Sequence, residues 1–367
     1  MKVVIAGGGT AGHVFPAVAL ADRLAKDHGV HVEFIGSSAG QEASLVPAAG
    51  YTFHGVAAAP LRREVSLASA KAPIVAMGSV GACGPLVRDA DVVVGMGGYA
   101  SVPAVLAARR ARVPVVLHEQ NAVPGLANRV LARIARSVGV SFADAAARFP
   151  SRVAVAVTGN PVRAQVRAVP STREALAAEA WAALDLDPDR ATVVVFGGSQ
   201  GALHVDQTVA AALDGLADRG DLQLLVLTGR EKLDVVVRAA ERPMALRVRA
   251  LPYLERMELA YAVADLAVAR AGATSIAEMT VCGIASILIP YPHATEDHQT
   301  ANARELVRAG AAYLYPDAEL SSDGLARRML DLMDDEGRRI EMGECAVAWS
   351  KPDADEHLAA LVREAAR

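Results

Sequence analysis

The sequence predicts an α/β fold made of two similar halves, each a parallel sheet covered by helices and facing the other across a cleft. Three observations predict it. Short Val- and Ile-rich runs alternate along the whole chain with Ala- and Leu-rich segments of helical periodicity. Those runs are apolar without alternation, the pattern of strands buried on both faces. A strand–glycine–helix start occurs twice, at residues 2–16 and 192–201, and each half carries a second glycine loop near its middle.

Composition limits the function classes. A chain of 367 residues exceeds one ordinary core, so two domains are expected. With 53% hydrophobic and 21% charged residues it is globular rather than disordered. A net charge of −4 argues against a nucleic-acid partner that needs a broad basic face. Cys83, Cys282 and Cys345 are far apart and form no C-x-x-C, so neither a disulfide framework nor a zinc site is indicated, and a reducing compartment fits. The chain enters a strand directly, so no signal peptide is expected. No apolar run reaches about 18 residues, so no membrane-spanning helix is expected.

The opening stretch MKVVIAGGGTAGHVFP reads strand, glycine turn, helix. Glycines let the backbone turn tightly and approach a ligand, and the following helix presents its positive end. Gly7, Gly9 and Gly12 satisfy G-x-G-x-x-G. A nicotinamide or flavin cofactor also asks for an acid at the tip of the second strand, and that strand ends in Gly36-Ser37-Ser38, with Glu33 inside it. His13 stands where a titratable ring would face a ligand at the strand's carboxyl end.

Further first-half strands are expected at 32–35, 52–56, 92–95, 113–117, 137–140 and 153–157. Ligands of such sheets bind beyond the carboxyl ends of the strands, so the residues after those ends matter most. After 92–95 comes Met96-Gly97-Gly98-Tyr99-Ala100-Ser101, and after 113–117 comes His118-Glu119-Gln120-Asn121. Four polar residues at the end of a buried strand form either a satisfied cap or a site; with His13 and Gly97 they point to a site. Thr158-Gly159-Asn160-Pro161-Val162-Arg163 breaks regular structure and marks a hinge or linker. Asp185-Leu186-Asp187 lies in a Pro- and Asp-rich turn and reads as a solvated connection rather than a metal site.

In the second half, strand 192–196 leads into Gly197-Gly198-Ser199-Gln200-Gly201, and strand 266–269 into Arg270-Ala271-Gly272-Ala273-Thr274-Ser275. A helix over 273–280 offers a diphosphate its N-terminal end without a metal. Glu278, one turn in, is either a dipole-favoured glutamate or an acceptor for two ribose hydroxyls. Strand 286–290 leads to Tyr291-Pro292-His293 and then Asp297-His298-Gln299; two irregularly spaced histidines do not make a metal site. Gln299 donates and accepts, which suits sugar hydroxyls. Residues 356–367 read as an amphipathic helix.

Seven segments taken together carry a resemblance: GGTAGHVFP (8–16), GMGGYAS (95–101), HEQN (118–121), TGNPVR (158–163), GGSQG (197–201), RAGATSIAE (270–278) and DHQTANA (297–303). In this order they resemble the MurG family, the UDP-N-acetylglucosamine transferases that convert lipid I to lipid II in bacterial peptidoglycan synthesis, with ties to cell shape and division. The resemblance runs almost end to end. It implies a GT-B fold, with an acceptor-binding domain at 1–160, a UDP-GlcNAc-binding domain at 164–347 and a last helix, about 350–367, packing back on the first. It implies donor contacts at Ser199, Leu254, Ala273, Thr274, Ser275, Ile276, Ala277, Glu278 and Gln299, with His298 beside Gln299 at the sugar. The backbone around Leu254 would read the uracil edge. Thr10, Ala11, Gly12, Asn121 and Arg163 are implied around the diphosphate and acceptor, and Arg270 or Arg163 at the leaving UDP. Gly9, Tyr99, His118 and Glu119 map to the acceptor side. His13 is the first candidate base for an inverting attack by the MurNAc 4-hydroxyl, and Glu119 the second. No cofactor and no tightly bound metal is implied.

Ala11 and Val102 stand where the family usually has glycine, and each adds a Cβ near the acceptor side. The resemblance also implies a peripheral protein on the cytoplasmic face of the cell membrane, in contact with lipid I and possible cell-wall synthesis proteins. The segment that would touch the membrane, 60–87, keeps Arg62, Arg63 and Lys71 among apolar residues, with Arg88 just beyond it, but has no aromatic. The alternatives are a transferase of the same fold for another lipid or aglycone acceptor, a UDP-GlcNAc epimerase, and a nicotinamide-dependent oxidoreductase.

Overall fold

The computed structural model describes residues 1–57, 78–198, 201–229 and 233–367. The chain forms two compact units, Met1–Arg163 with Lys351–Arg367, and Ala164–Ser350.

The first unit is built on seven parallel strands: β1 (Lys2–Ala6), β2 (His31–Ser37), β3 (Thr52–Val56), β4 (Val92–Gly95), β5 (Val115–Glu119), β6 (Ser137–Val140) and β7 (Ala154–Val157), in the order β3-β2-β1-β4-β5-β6-β7. Alternate residues of β1 serve opposite faces. Val3 and Ile5 pack with Val14 and Leu20 of helix Ala11–Leu24 and with Leu358 and Val362 of helix Ala354–Ala365. Val4 and Ala6 pack with Ala104 and Val105 of helix Val102–Ala111. The sheet is therefore dry on both sides, which is why its strands read as apolar runs. The last helix is also pinned by charge. Arg363 Nε donates to Asp27 Oδ2 at 2.7 Å and its Nη1 to Glu356 at 2.8 Å, which lowers both carboxyl pKa values from their ordinary range.

The strand order reverses between β1 and β4, and Ala6 pairs with Gly95. This switch point brings the loops after β1 and β4 side by side, where open α/β sheets hold ligands. One boundary corrects the sequence reading. The strand expected at 113–117 runs over Val115–Glu119, because Pro114 has no N–H to give the ladder. His118 and Glu119 are thus the last residues of β5, paired with Gly139 and Val140, rather than the start of a loop.

The second unit holds six parallel strands: β8 (Ala191–Phe196), β9 (Leu222–Leu227), β10 (Arg247–Leu251), β11 (Ala264–Ala269), β12 (Ser286–Leu288) and β13 (Ala312–Leu314), in the order β10-β9-β8-β11-β12-β13. Strands β9, β10 and β13 add to those named from the sequence, and β12 stops short of Pro290. Val193, Val195, Leu224 and Val226 pack on Leu213 and Leu216 of helix Leu203–Leu216 and on Leu325 and Met329 of helix Ser322–Asp334. Here the switch lies between β8 and β11, whose last residues Phe196 and Ala269 are paired. In the Asp185-Leu186-Asp187 turn each carboxylate faces an arginine: Asp185 pairs with Arg247 at 2.6 Å and Asp187 with Arg190 at 3.1 Å.

Candidate functional site

In the first unit, the loop after β1 turns through Gly8 and Gly9, both at positive φ (146° and 97°), a conformation only glycine adopts freely. The loop's N–H groups are aimed at the chain's own acceptors. Gly9 N donates to Glu42 Oε2 at 2.7 Å and Ala11 N to Gln41 Oε1 at 2.6 Å. Ala11 is buried, so its extra Cβ sits inside the fold, and Val102 packs against the core of this unit. His13, in the first turn of helix Ala11–Leu24, is half-buried, and its Nδ1 lies 3.1 Å from Thr10 Oγ1. The other ring nitrogen faces the second glycine loop: a Cβ on Gly97 would stand 3.7 Å from His13 Nε2, and one on Gly98 3.9 Å. Gly97 and Gly98 have φ of 85° and 71°, so glycine is required there as well. The Tyr99 ring lies over Gly9, with Cε1 3.5 Å from where its Cβ would be. Gly9, Thr10, His13, Gly97, Gly98 and Tyr99 therefore form one cluster.

The polar end of β5 lies behind this cluster. His118 is fully buried and donates from Nε2 to Gly159 O at 3.0 Å. Burial lowers its pKa to about 4, and the positive charge of a nearby His13 adds to that effect. Glu119, also buried, accepts from Asn121 N (2.9 Å), Asn128 Nδ2 (2.9 Å) and Gly125 N (3.1 Å). Burial raises its pKa, and these donors act against the rise. His118 and Glu119 shape the loop from inside instead of lining its surface. Asn121 stands at the start of that loop, half-buried. Arg163 stacks on the Phe15 ring at 4.2 Å from its centroid.

Sequence reasoning missed Gln41, Glu42 and Asn128. Asn128 bridges His118 O and Glu119 from helix Leu126–Leu131, and Gly97 lies against its side chain. The signal for Glu42 was an acid soon after the end of β2, following Gly40.

In the second unit, helix Ala273–Val281 begins at Gly272 with no acidic residue in its first turn and no side-chain cap. Its N-terminal end keeps the dipole's positive potential, with Ala273, Thr274 and Ser275 forming the first turn. Ile276 is fully buried and its N–H donates to Gly272 O, so this position supports the helix and offers a ligand nothing; Ala277 is buried too. Glu278 is buried, and Tyr261, missed by the sequence reading, donates its hydroxyl to Glu278 Oε2 at 2.9 Å. Tyr261 is fixed in turn by an edge-on contact with Phe196. Gln299 Oε1 accepts from Tyr291 N at 2.9 Å, which leaves its amide end oriented by the backbone. His298 Nδ1 donates to Thr295 O at 2.8 Å. The preceding residues, Glu296 and Asp297, both have φ of 54°, a left-handed pair that costs about 1 kcal/mol or more at each non-glycine.

Arg270 is committed inside the fold. Its guanidinium donates to Ile289 O (3.2 Å), Pro290 O (2.9 Å) and the Asp317 carboxylate. That arrangement holds the end of β12 and argues against a direct role at a leaving group. Leu254 is half-buried in the segment after β10. Ser199, like residues 60–77 of the segment assigned to the membrane, lies outside the described residues.

Comparison with known proteins joins these two units. The N-terminal domain of glycosyltransferase family 28 matches residues 3–140, and the C-terminal domain of that family matches residues 192–358. A UDP-N-acetylglucosamine–N-acetylmuramyl-(pentapeptide) pyrophosphoryl-undecaprenol N-acetylglucosamine transferase of Acidothermus cellulolyticus is 43% identical over 100% of this chain and 98% of its own. The crystal structure of Acinetobacter baumannii MurG superposes with a TM-score of 0.78 at 28% identity, covering 99% of each chain. A UDP-GlcNAc 2-epimerase from Neisseria meningitidis, solved with UDP-GlcNAc, shares the fold at a TM-score of 0.69 and 13% identity, over 100% of this chain and 99% of that one. With relatives at this identity over its whole length, the chain belongs to the MurG family of glycosyltransferases, within glycosyltransferase family 28.

Proposed function

We propose that the protein transfers GlcNAc from UDP-GlcNAc to the MurNAc 4-hydroxyl of lipid I, with inversion at C1, giving lipid II. The observation that carries this reading is full-length kinship to curated transferases of that name, together with a distinct chemical group in each unit. The second unit supplies a helix end suited to a diphosphate and a buried carboxylate, Glu278, suited to ribose hydroxyls. The first supplies an imidazole, His13, beside a glycine loop.

In the reaction O4 attacks C1, the C1–O bond to the diphosphate breaks, and UDP leaves with the electron pair. The proton of the 4-hydroxyl goes to His13. In the tautomer that donates Nδ1–H to Thr10 Oγ1, the lone pair lies on Nε2, on the side of Gly97 and Gly98. We favour His13 over Glu119 as the base because each carboxylate oxygen of Glu119 already accepts from N–H groups of its own loop. The charge growing on UDP is met by the N-terminus of helix Ala273–Val281. Gln299 and His298 address the sugar, the backbone at Leu254 the uracil, and Arg163 and Asn121 the acceptor side.

Among the described residues no helix is long and apolar enough to cross a membrane. A peripheral position at the cytoplasmic membrane face accords with this and with a lipid-linked acceptor.

The test is transfer of label from UDP-[14C]GlcNAc to a lipid I analogue by wild type, His13→Ala and Gln299→Ala. Label in the lipid phase that both substitutions abolish supports the assignment. Label that stays on the nucleotide, with UDP binding intact, refutes it.

A further inference from the structure

The first glycine loop is wrapped around a carboxylate of the same chain. Glu42 is 1% exposed. Its Oε2 accepts from Gly9 N at 2.7 Å and its Oε1 from Ser37 N at 2.8 Å. Three glycines from three segments enclose it. A Cβ on Gly8 or Gly40 would fall within the carboxylate, and one on Gly36 would stand 2.6 Å from Glu42 Cγ. Next to it, Gln41 takes the Ala11 N–H. Converging N–H groups on a glycine turn ahead of a helix are what such loops use to hold a phosphate. In this unit the socket is already filled.

We propose that Glu42 is a positioning residue: its carboxylate is the resident anion of the first glycine loop, and it sets the shape of the loop that carries Thr10 and leads into the helical turn of His13. The proposal rests on the transfer reaction proposed above. It has two consequences. The Gly9 and Ala11 N–H groups are not offered to a substrate phosphate, because Glu42 and Gln41 already hold them. And the position of the His13 ring depends on both oxygens of Glu42 acting as acceptors. An amide cannot replace them, since Gln offers one acceptor and turns an NH₂ toward the other N–H.

The experiment uses full-length Glu42→Gln and Glu42→Gly proteins. UDP binding by calorimetry reports the second unit, and it stays within about threefold of wild type. The kcat for transfer falls on the order of 10²-fold in both, with the KM for UDP-GlcNAc unchanged, as expected for a misplaced group. Formate restores Glu42→Gly at least tenfold and chloride at equal ionic strength does not; Glu42→Gln, whose socket is still occupied, is not restored. Wild-type kcat in Glu42→Gln, or a folded Glu42→Gly that formate leaves unchanged, overturns the proposal. Should Glu42→Gly not fold, the near-isosteric Glu42→Gln decides. A readout free of turnover is the ¹³C-labelled His13 imidazole resonance. It moves in Glu42→Gln if the proposal holds and stays fixed if it does not. That result stands even if wild type fails to glycosylate lipid I, in which case only the transfer assignment is lost.

Discussion

His118 Nε2 donates to the carbonyl oxygen of Gly159 across 3.0 Å, tying the end of β5 to the turn after β7. Gly159 has φ of 82°, and a Cβ there would run into Lys351, where the chain re-enters the first unit. One buried imidazole thus joins the polar strand end to the segment where the first unit gives way to the second and is later resumed. Its Nδ1 is buried without a hydrogen-bond partner among the described residues, so only the neutral ring with hydrogen on Nε2 fits the site.

Stability should therefore fall as pH drops below about 6.5. Folding lowers the His118 pKa to about 4, so between that value and 6.5 the unfolded chain binds more protons, and stability rises with pH across this window. The expected loss from pH 7 to pH 5 is about 2 kcal/mol. Glu119 acts in the opposite sense. Burial raises its pKa, so its contribution is present at low pH and lost as pH rises through the folded value. The comparison that isolates His118 is the difference between wild type and His118→Asn in urea denaturation, which should shrink by that amount at low pH. Parallel curves would show that the ring does not titrate as the geometry requires.

His13→Ala should lower kcat by about 10²- to 10⁴-fold, the usual range for a general base. The KM for UDP-GlcNAc should hardly move, because the helix end and the Glu278 carboxylate proposed to grip the nucleotide belong to the second unit. Steady-state kinetics with both substrates varied separates the outcomes. A raised acceptor KM with kcat preserved would make His13 a binding residue.

The sheets were legible because strands buried on both faces have few polar positions to blur them, as in VVVG of β4 and VVVF of β8. The polar end of β5 was legible as a site but not in its depth. Whether His118 faces a ligand or Gly159 depends on the register of β5 with β6 and β7, and Pro114 shifted that register along the chain. Glu42 was hidden for a similar reason. The acid sought at the tip of β2 is present five residues past Ser37, yet it serves the chain's own loop in place of a ribose. Tyr261 and Asn128 sit on short helices whose sequences look like ordinary packing, and only the tertiary contacts with Glu278 and Glu119 reveal their work.

Tyr261→Phe should weaken UDP about fivefold, equivalent to one hydrogen bond of about 1 kcal/mol. The lost hydroxyl donates to Glu278 Oε2, while the ring and its contact with Phe196 remain. Affinity for 2′,3′-dideoxy-UDP should be the same in wild type and variant, since that ligand gives Glu278 no hydroxyl to accept. Calorimetric titration with both nucleotides tests the pair. An equal loss for both would mean that Tyr261 holds the pocket in general and not the ribose carboxylate.

Arg270→Ala should cost the second unit about 3 kcal/mol or more in stability. The guanidinium and the Asp317 carboxylate are nearly out of solvent, with side-chain exposures of 8% and 11%. Removing the arginine takes the guanidinium from Asp317, which keeps its hydrogen bond with His204 at 3.0 Å, and strips a donor from the carbonyls of Ile289 and Pro290. Those carbonyls lead into Tyr291, whose N–H holds Gln299, so UDP-GlcNAc binding should weaken along with stability. Arg338→Ala provides the contrast. Its pair with Glu341 is exposed, at 49% and 61%, and its loss should register within about 0.5 kcal/mol. Both tryptophans, Trp181 and Trp349, belong to the second unit, so fluorescence-detected denaturation follows that unit alone. An Arg270→Ala midpoint no lower than that of Arg338→Ala would mean that the buried pair contributes nothing net, and that Arg270 is there for a ligand after all.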